Sequence, residues 1–371
     1  MRWPGGNLFR EPLLRIANLK RYAGWMGAVF TAAFCLVVLV VFLGGYNVAA
    51  SSDHWGVTRW LLRSVRDASI ALRRPEAVLP PLFDEQAIRL AAGHYADECE
   101  TCHSAPGRPV SALGLSLTPA PPYYAGLAQD HTPEELFWIV KHGIKMTGMP
   151  AWPAQSRDDE VRAMVALLER LPAMSAGEYR RLAHGPRQPP TDDRQLMTCA
   201  HCHGLDGLGR HMKGLPVLAH QKPGYLSTAL DAFRDGRRHS GFMQTVAANL
   251  TDEDISRLAG HYAAQPRPAP PPPAIDSEFR LGRMLATQGS ADNRVPACTS
   301  CHGLKAERGN PFYPDIRGQP ADYIRRQLAL FRSGDRGGTA YRGLMRPVAL
   351  ALSDAEVAAV ARYYASLSPA R

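Results

Sequence analysis

The first strong pattern along the chain is an apolar stretch near its start. No charged residue occurs from Tyr22 to Ser52, and the segment WMGAVFTAAFCLVVLVVFLGGY is long enough to cross a bilayer as a helix. Basic residues dominate the segment before it, so the positive-inside rule places the N-terminus in the cytoplasm. A cleaved signal peptide is the alternative, because residues 48–50 resemble a cleavage site, but the apolar run is longer than a signal sequence needs. We therefore expect an uncleaved single-pass anchor.

The segment 54–75 has the periodicity of an amphipathic helix. Its arginines fall on one helical stripe, and its apolar residues lie mostly elsewhere. A helix on the membrane surface and a helix packed on a neighbouring domain or subunit both explain this pattern. The arginines of the stripe are Arg59, Arg63, Arg66 and Arg73.

The pattern of the rest of the chain predicts small helical modules separated by proline-rich linkers. No alternating apolar run is long enough to predict a sheet, so we expect an all-α fold. Each module closes with a helix whose start carries a Ser or Thr and an acid three residues later, at Ser156, Thr251 and Ser353. The expected ranges are a cytoplasmic basic N-terminus (1–21), a transmembrane anchor (22–52), a periplasmic linker (53–83) and three modules (84–184, 185–266 and 267–371).

The second and third modules repeat a middle helix. PGYLSTALDAFRDGRR aligns with ADYIRRQLALFRSGDR at a constant offset of 98 residues. Helix packing explains the shared hydrophobic positions, and the repeat itself indicates duplication of one unit. Arg234 and Arg332 occupy equivalent positions, where pairing with a bound anionic group and a surface salt bridge are equal alternatives.

Charge is distributed unevenly along the 371 residues, whose formal net charge is +9. The first module is acidic and the third is basic. A nucleic-acid binder would be basic throughout its domains, so we expect no nucleic-acid partner. The opposite charges of the two ends are compatible with docking to different protein partners.

The strongest chemical signal is a CxxCH motif that occurs once in each module. A redox disulfide, a zinc site and covalent haem attachment all use a CxxC pair. Haem explains every residue together, because two cysteines on one helical turn reach its vinyl groups and the histidine reaches its iron. We therefore expect three covalently bound haem c groups. The motifs are Cys99, Cys102 and His103, then Cys199, Cys202 and His203, then Cys298, Cys301 and His302.

A second iron ligand is expected from a methionine that precedes each closing helix. The predicted ligands are Met149, held in a loop by neighbouring glycine and proline, Met243, and Met345, which Pro347 is expected to keep out of a helix. The alternative candidates for the second iron ligand are Met146, Met212 and several histidines. Those histidines are His94, His142, His211, His220, His239 and His261.

On these motifs the soluble part resembles class I cytochromes c. Residues from about 190 onward, with LPVLAHQKPGYL, YPDIRGQPADYI and LTDEDISRLAGHYA, are similar to the di-haem cytochrome c4 family. The first module, with ELFWIVKHGIKMTGMPAW, is similar to single-haem domains of membrane-anchored bacterial respiratory cytochromes. The resemblance implies three tandem class I cytochrome c domains. The start of the second module departs from the family pattern, because TDDRQLMTCAHC leaves room for only a short first helix.

Iron ligated on both sides favours one-electron transfer over catalysis. We expect a carrier anchored in a bacterial inner membrane, in contact with membrane lipid, with periplasmic haem domains. It would connect a quinol-oxidising complex or dehydrogenase with a terminal oxidase or soluble cytochrome. The alternatives are a cytochrome subunit of a dehydrogenase complex, such as a quinoprotein alcohol dehydrogenase, and a haem peroxidase with one open iron position.

Overall fold

The computed structural model describes residues 10–77 (side chains from residue 21), 85–185, 189, 191–209, 214–292, 294–302 and 310–368. Within these ranges the secondary structure is helical, and β pairing is limited to isolated bridges. The expected all-α fold is confirmed. The chain divides into two compact units, which are residues up to Leu62 and Arg63–Arg371.

In the first unit, α1 (Arg10–Phe42) contains the apolar segment. Its residues Arg21–Phe42 are long and apolar enough to cross a membrane, with a mean hydropathy of 2.5. At 1.5 Å per residue such a segment spans about 33 Å, close to the thickness of a bilayer's hydrocarbon core. Gly44, at φ +66°, lies in the turn after the helix.

The amphipathic segment forms α2 (Gly56–Arg73). Near its C-terminal end Ile70 is buried, and Arg74 pairs with Glu135 of the first module at 3.0 Å. Val65 and Leu72 remain exposed. The end of the helix therefore contacts the first module, as one of the two explanations of the pattern requires, while part of its apolar surface stays uncovered.

The first module is a bundle in which α3 packs on α7 and α8, and α6 packs on α7. Its centre contains Tyr95, Tyr179 and Met164, each almost fully buried. A π-helical turn, Tyr95–Cys99, connects α3 directly to the motif helix α4. The helices are α3 (Glu85–His94), α4 (Glu100–His103), α5 (Ala112–Ser116), α6 (Pro133–His142), α7 (Asp158–Arg170) and α8 (Ala176–His184).

The second and third modules share one arrangement of motif helix, middle helix, methionine helix and closing helix. The second module has α9 (Arg194–His203), α10 (Pro223–Arg234), α11 (Gly241–Ala247) and α12 (Asp252–Ala264). The third has α13 (Ser277–Gln288), α14 (Thr299–His302), α15 (Ala321–Ser333), α16 (Arg342–Ala351) and α17 (Asp354–Ala365). The short first helix expected in the second module is present, because α9 itself carries the motif.

Two of the three predicted helix starts have the expected cap. Thr251 with Asp254 and Ser353 with Glu356 form reciprocal capping boxes. The prediction for Ser156 was wrong, because Arg157 occupies the N-cap of α7. The side chain of Arg157 is held by tertiary contacts. These contacts override the local preference for serine at the N-cap position.

The expectation that Pro347 keeps Met345 out of a helix was also wrong. Both residues lie inside α16. Proline removes one backbone donor, which would have bonded the carbonyl of Gly343. The helix persists because α16 packs against α15 and buries Ala349 completely. A single lost hydrogen bond is small beside that packing.

Glycine is required where the first and last helices of the third module cross. A β-carbon at Gly282 of α13 would overlap the backbone carbonyl of Ala359 in α17. Because that obstacle is backbone, neither helix can yield without moving as a whole.

We expect Gly282→Ala to destabilise the protein by about 2 kcal/mol, through overpacking of this crossing. The matched control is Gly260→Ala in α12, where nothing lies within 4 Å of the added carbon. That change should stabilise by about 0.5 kcal/mol, through its helix propensity. Urea unfolding followed by circular dichroism measures both. Equal stabilities for the two variants would contradict the packing argument.

Candidate functional site

The histidine of the first motif is oriented by a backbone carbonyl. Nδ1 of His103 donates to the carbonyl oxygen of Pro122 at 2.8 Å. Because a carbonyl only accepts, the proton lies on Nδ1 and Nε2 keeps a free lone pair. Burial lowers the pKa of His103, so the ring is neutral near pH 7. This is the state in which imidazole ligates iron.

The other two motifs present their histidines in a similar way. Nδ1 of His302 donates to the carbonyl oxygen of Pro314 at 3.0 Å, and burial lowers its pKa. His203 is buried more deeply, and its pKa falls to about 4 because of that burial. The carbonyl of Pro216 opposes this effect, but among the described residues Nδ1 of His203 has no partner with hydrogen-bonding geometry.

The first cysteine of each motif is a protonated thiol. Burial raises the pKa of Cys99 and of Cys199 to about 12, and that of Cys298 to about 11. The six motif cysteines are not joined in disulfides. A thiol with so high a pKa is a poor redox nucleophile, because the thiolate is the reactive form. Each motif therefore offers two thiols and a neutral imidazole, a donor set that fits covalently attached haem.

The two methionines of the loop in the first module differ in exposure. Met149 is half-buried, whereas Met146 is 89% exposed. The backbone amide of Ile144 donates to the carbonyl of Met149 at 3.2 Å, closing a non-helical loop as expected. Gly143, at φ +63°, makes this closure possible, because a β-carbon there would meet the backbone of Pro150 at 2.6 Å.

The proposed ligands of the second and third modules face one cavity of about 340 Å³. It is continuous between the two modules and is lined largely by apolar side chains. His103 and Met149 lie outside it. The predicted site residues that line it are Cys199, Cys202, His203, Met243, Cys301, His302 and Met345.

Two arginines that the sequence analysis did not single out also line this cavity, and of these Arg238 is buried and Arg336 is half-buried. Arg238 donates to the hydroxyls of Tyr225 and Tyr323, at 3.4 and 3.3 Å. Arg336 donates to Gln327 at 3.0 Å, and burial lowers its pKa to about 10. Each guanidinium also stacks 4.5 Å above a phenylalanine ring of its own module. Arg238 and Arg336 are the last residues of the repeated 16-residue segment, so the 98-residue offset was the signal that could have identified them.

In the described part of the chain neither of these guanidinium groups is paired with a carboxylate. Two cations held partly away from water at one cavity are costly without a counter-charge. The carboxylates of a haem supply negative charge of the required kind. The thiols and imidazoles of the motifs therefore match the attachment and iron ligation of a haem, and the arginines match the negative charge of its carboxylates.

Arg234 and Arg332, by contrast, form salt bridges within their own modules. Arg234 pairs with Asp252 at 2.8 Å, and Arg332 pairs with Asp354 at 2.6 Å. Both also donate to carbonyl oxygens that precede the closing helix. Of the two roles considered for these residues, the structure therefore shows the salt bridge.

The rival ligands have other environments where they are described. His94 packs against Trp152 and Phe242, the ring of His142 contacts that of Trp138 at a tilt, and His261 bonds the carbonyl of Leu205. His239 bonds the carbonyl of Asp335, and His220 has a left-handed backbone. His211 and Met212 lie outside the described residues.

The first module covers one sulfur of the second motif. A β-carbon at Gly93 in α3 would lie 3.3 Å from Sγ of Cys202. Beside this contact, Nδ1 of His201 pairs with Asp97 at 3.1 Å. The helix α3 therefore contacts both its own module and the motif helix of the next.

Comparison with known proteins identifies the modules. The family profile described as "Cytochrome C oxidase, cbb3-type, subunit III" matches residues 86–168. The profile described as "Cytochrome c" matches residues 194–261 and 288–368.

Curated relatives match about half of the chain. A thiosulfate dehydrogenase electron acceptor from Stutzerimonas stutzeri is 35% identical over 207 residues, which is 55% of this chain and 92% of the relative. Another from Thiomonas intermedia is 35% identical, over 48% of this chain and 82% of the relative. Cytochrome c4 from Thiocapsa roseopersicina is 37% identical, over 46% of this chain and 87% of the relative.

The arginines that line the cavity provide a test of its charge. We expect Arg336→Gln to lower one haem reduction potential by on the order of 50 mV, because removing a positive charge beside the cavity favours ferric iron. Arg336→Lys keeps the charge and should change the potential far less. Arg325→Gln, at a half-exposed position of α15, is the control. Redox titration followed optically measures all three, and equal shifts for the Gln and Lys variants would contradict the charge argument.

Proposed function

Because the chain belongs to the cytochrome c family, we propose that it carries single electrons through three covalently bound haem c groups, one in each module. Haem c supplies reversible one-electron chemistry when bound. The chain retains it through the cysteine pairs and ligates its iron through histidine and methionine. The proposed ligand pairs are His103 with Met149, His203 with Met243, and His302 with Met345.

The observation that carries the proposal is the shared cavity of the second and third modules. It brings His203, Met243, His302 and Met345 to one apolar space, although each methionine lies 40 or more residues from its histidine. The first module supports the same assignment, because the loop that holds Met149 buries it and exposes Met146. Ligands on both sides of the iron leave no open position for peroxidase chemistry.

The proposed location is the periplasmic face of a bacterial inner membrane. Its support is the apolar segment Arg21–Phe42 with basic residues before it, which suits an anchor with a cytoplasmic N-terminus. Exposed Trp60, Val65 and Leu72 of α2 suit a position beside lipid. N-terminal sequencing of the membrane fraction tests the anchor, because cleavage after Ala50 would identify a signal peptide.

For partners, we propose a periplasmic dehydrogenase as donor and a terminal oxidase or soluble cytochrome as acceptor. Two relatives are named electron acceptors of thiosulfate dehydrogenase, which favours a dehydrogenase over a quinol-oxidising complex. The same names support a second candidate function, a resident cytochrome subunit of a dehydrogenase complex. Purification in mild detergent distinguishes these functions, because a resident subunit co-purifies with its dehydrogenase in fixed stoichiometry.

The number of haems and their ligands can be tested together. We expect the mass of the mature protein to exceed that of the polypeptide by three haems. Replacing Met149, Met243 or Met345 with alanine should each remove about one third of the near-infrared methionine-to-iron band and allow carbon monoxide to bind one reduced haem. Met146→Ala is the control, since its side chain is exposed. Fewer than three haems, or an unchanged band in a Met149, Met243 or Met345 variant, would contradict the assignment.

A further inference from the structure

A buried carboxylate of the first module reaches into the second. Glu160 of α7 is 4% exposed. Its Oε1 accepts a hydrogen bond from the hydroxyl of Ser240 at 2.7 Å, and its Oε2 accepts one from the backbone amide of Gly241 at 2.6 Å. Both donors lie at the start of α11, the helix that carries Met243.

These contacts continue to the methionine itself. Ser240 is the N-cap of α11, and its hydroxyl oxygen accepts the backbone N–H of Met243 at 3.3 Å. The helix has only seven residues, a length that is marginal without tertiary support. Its first amides have no intrahelical partner, and Glu160 with Ser240 satisfies two of them.

Arg157 balances the charge of Glu160 and holds the same segment. Its guanidinium lies 2.9 Å from Oε1 of Glu160 and donates to the carbonyl oxygen of His239 at 2.8 Å. A second carboxylate, Asp159, binds the other edge of the guanidinium. The backbone of His239 and the start of α11 are therefore held by two charged side chains of the first module, the carboxylate of Glu160 and the guanidinium of Arg157.

An aromatic contact lies beside this polar network. Trp152, which follows the loop of Met149, packs edge-on against Phe242 with ring centroids 5.5 Å apart. Its indole nitrogen donates to Glu160 at 3.3 Å. A β-carbon at Gly241 would overlap the same indole ring. The methionine loop of the first module and the methionine helix of the second are thus packed directly together.

The third module lacks this arrangement. Its methionine helix α16 begins at Arg342, and the N-cap residue Tyr341 provides no side-chain hydrogen bond to it. The two duplicated modules therefore hold their methionines differently, and the difference lies in the contribution of the first module.

From this geometry we propose that Glu160 is a positioning residue for the iron ligand of the second module. It holds the start of α11 so that Met243 stays on its iron, and the first module thereby sets how tightly the second haem is ligated. The inference rests on the proposed function, in which Met243 is that ligand.

The experiment is an imidazole titration of the full-length ferric holoprotein, followed by loss of the methionine-to-iron band. Imidazole competes with methionine for ferric iron. In Glu160→Gln we expect about one third of the band to be lost at roughly tenfold lower imidazole, because a charge-assisted buried hydrogen bond is removed. The remaining two thirds should titrate as in the unaltered protein, which a general loss of stability would not produce.

The matched control is Glu169→Gln, an exposed glutamate of the same helix α7. It removes the same charge without a contact to α11, and its titration should overlay that of the unaltered protein. Ser240→Ala removes only the hydroxyl and should shift the same third of the band in the same direction. If Glu160→Gln fails to mature, the titration of Ser240→Ala tests the proposal in its place. An unshifted titration of the variant used would overturn the proposal.

Met243→His separates the inference from the proposed function. If Met243 is the ligand, this change removes one third of the band, and adding Glu160→Gln to it leaves the remaining titration unchanged. A full band in Met243→His would refute the ligand assignment itself. A band reduced by one third in Met243→His, combined with no shift in Glu160→Gln, would refute only the positioning role.

Discussion

In the proposed function, each module brings a histidine near its start and a methionine near its end to the iron of one haem. The histidine is positioned by the motif helix. At His103 and His302 a hydrogen bond to a proline carbonyl also orients the ring. The methionine lies 40 to 46 residues further along the chain. It is on a loop or a short helix whose position depends on the packing of the middle and closing helices. Methionine is a neutral ligand whose position depends on that packing. The precision of the site therefore depends on how firmly each methionine segment is held.

The modules meet this requirement in three ways. Met149 lies in a loop closed by backbone hydrogen bonds, and Met345 lies in a helix held by packing against α15. Met243 lies in the shorter of the two methionine helices, and part of its support comes from a different module. A buried ion pair such as Arg157 with Glu160 adds little net stability, because desolvating the charges opposes their attraction. We expect its main effect to be specificity, because the observed docking of the two modules satisfies its partners on both sides.

Local sequence patterns predicted much of this site. The motifs, the loop of Met149 and the caps at Thr251 and Ser353 all depend on neighbouring residues, and the structure has the local geometry they predict. The misses at Ser156 and Pro347 share a cause, because contacts with distant segments override the local preference at both. The contacts of Glu160 and of Arg238 include residues 80 or more positions away, as in the pairs Glu160 with Ser240 and Arg238 with Tyr323. A single sequence carries no direct signal of such pairing, although the internal repeat marked Arg238 and Arg336.

The contact of α3 with Cys202 has a consequence for how the protein is made. Thioether formation requires that both sulfurs of a motif be open to the incoming porphyrin and to the machinery that joins them. Gly93 of α3 lies so close that a single added carbon would sit 3.3 Å from Sγ of Cys202, although Cys202 also lines the cavity. Docking of the first module therefore narrows the space around this sulfur and leaves the cavity as the side from which a porphyrin reaches it.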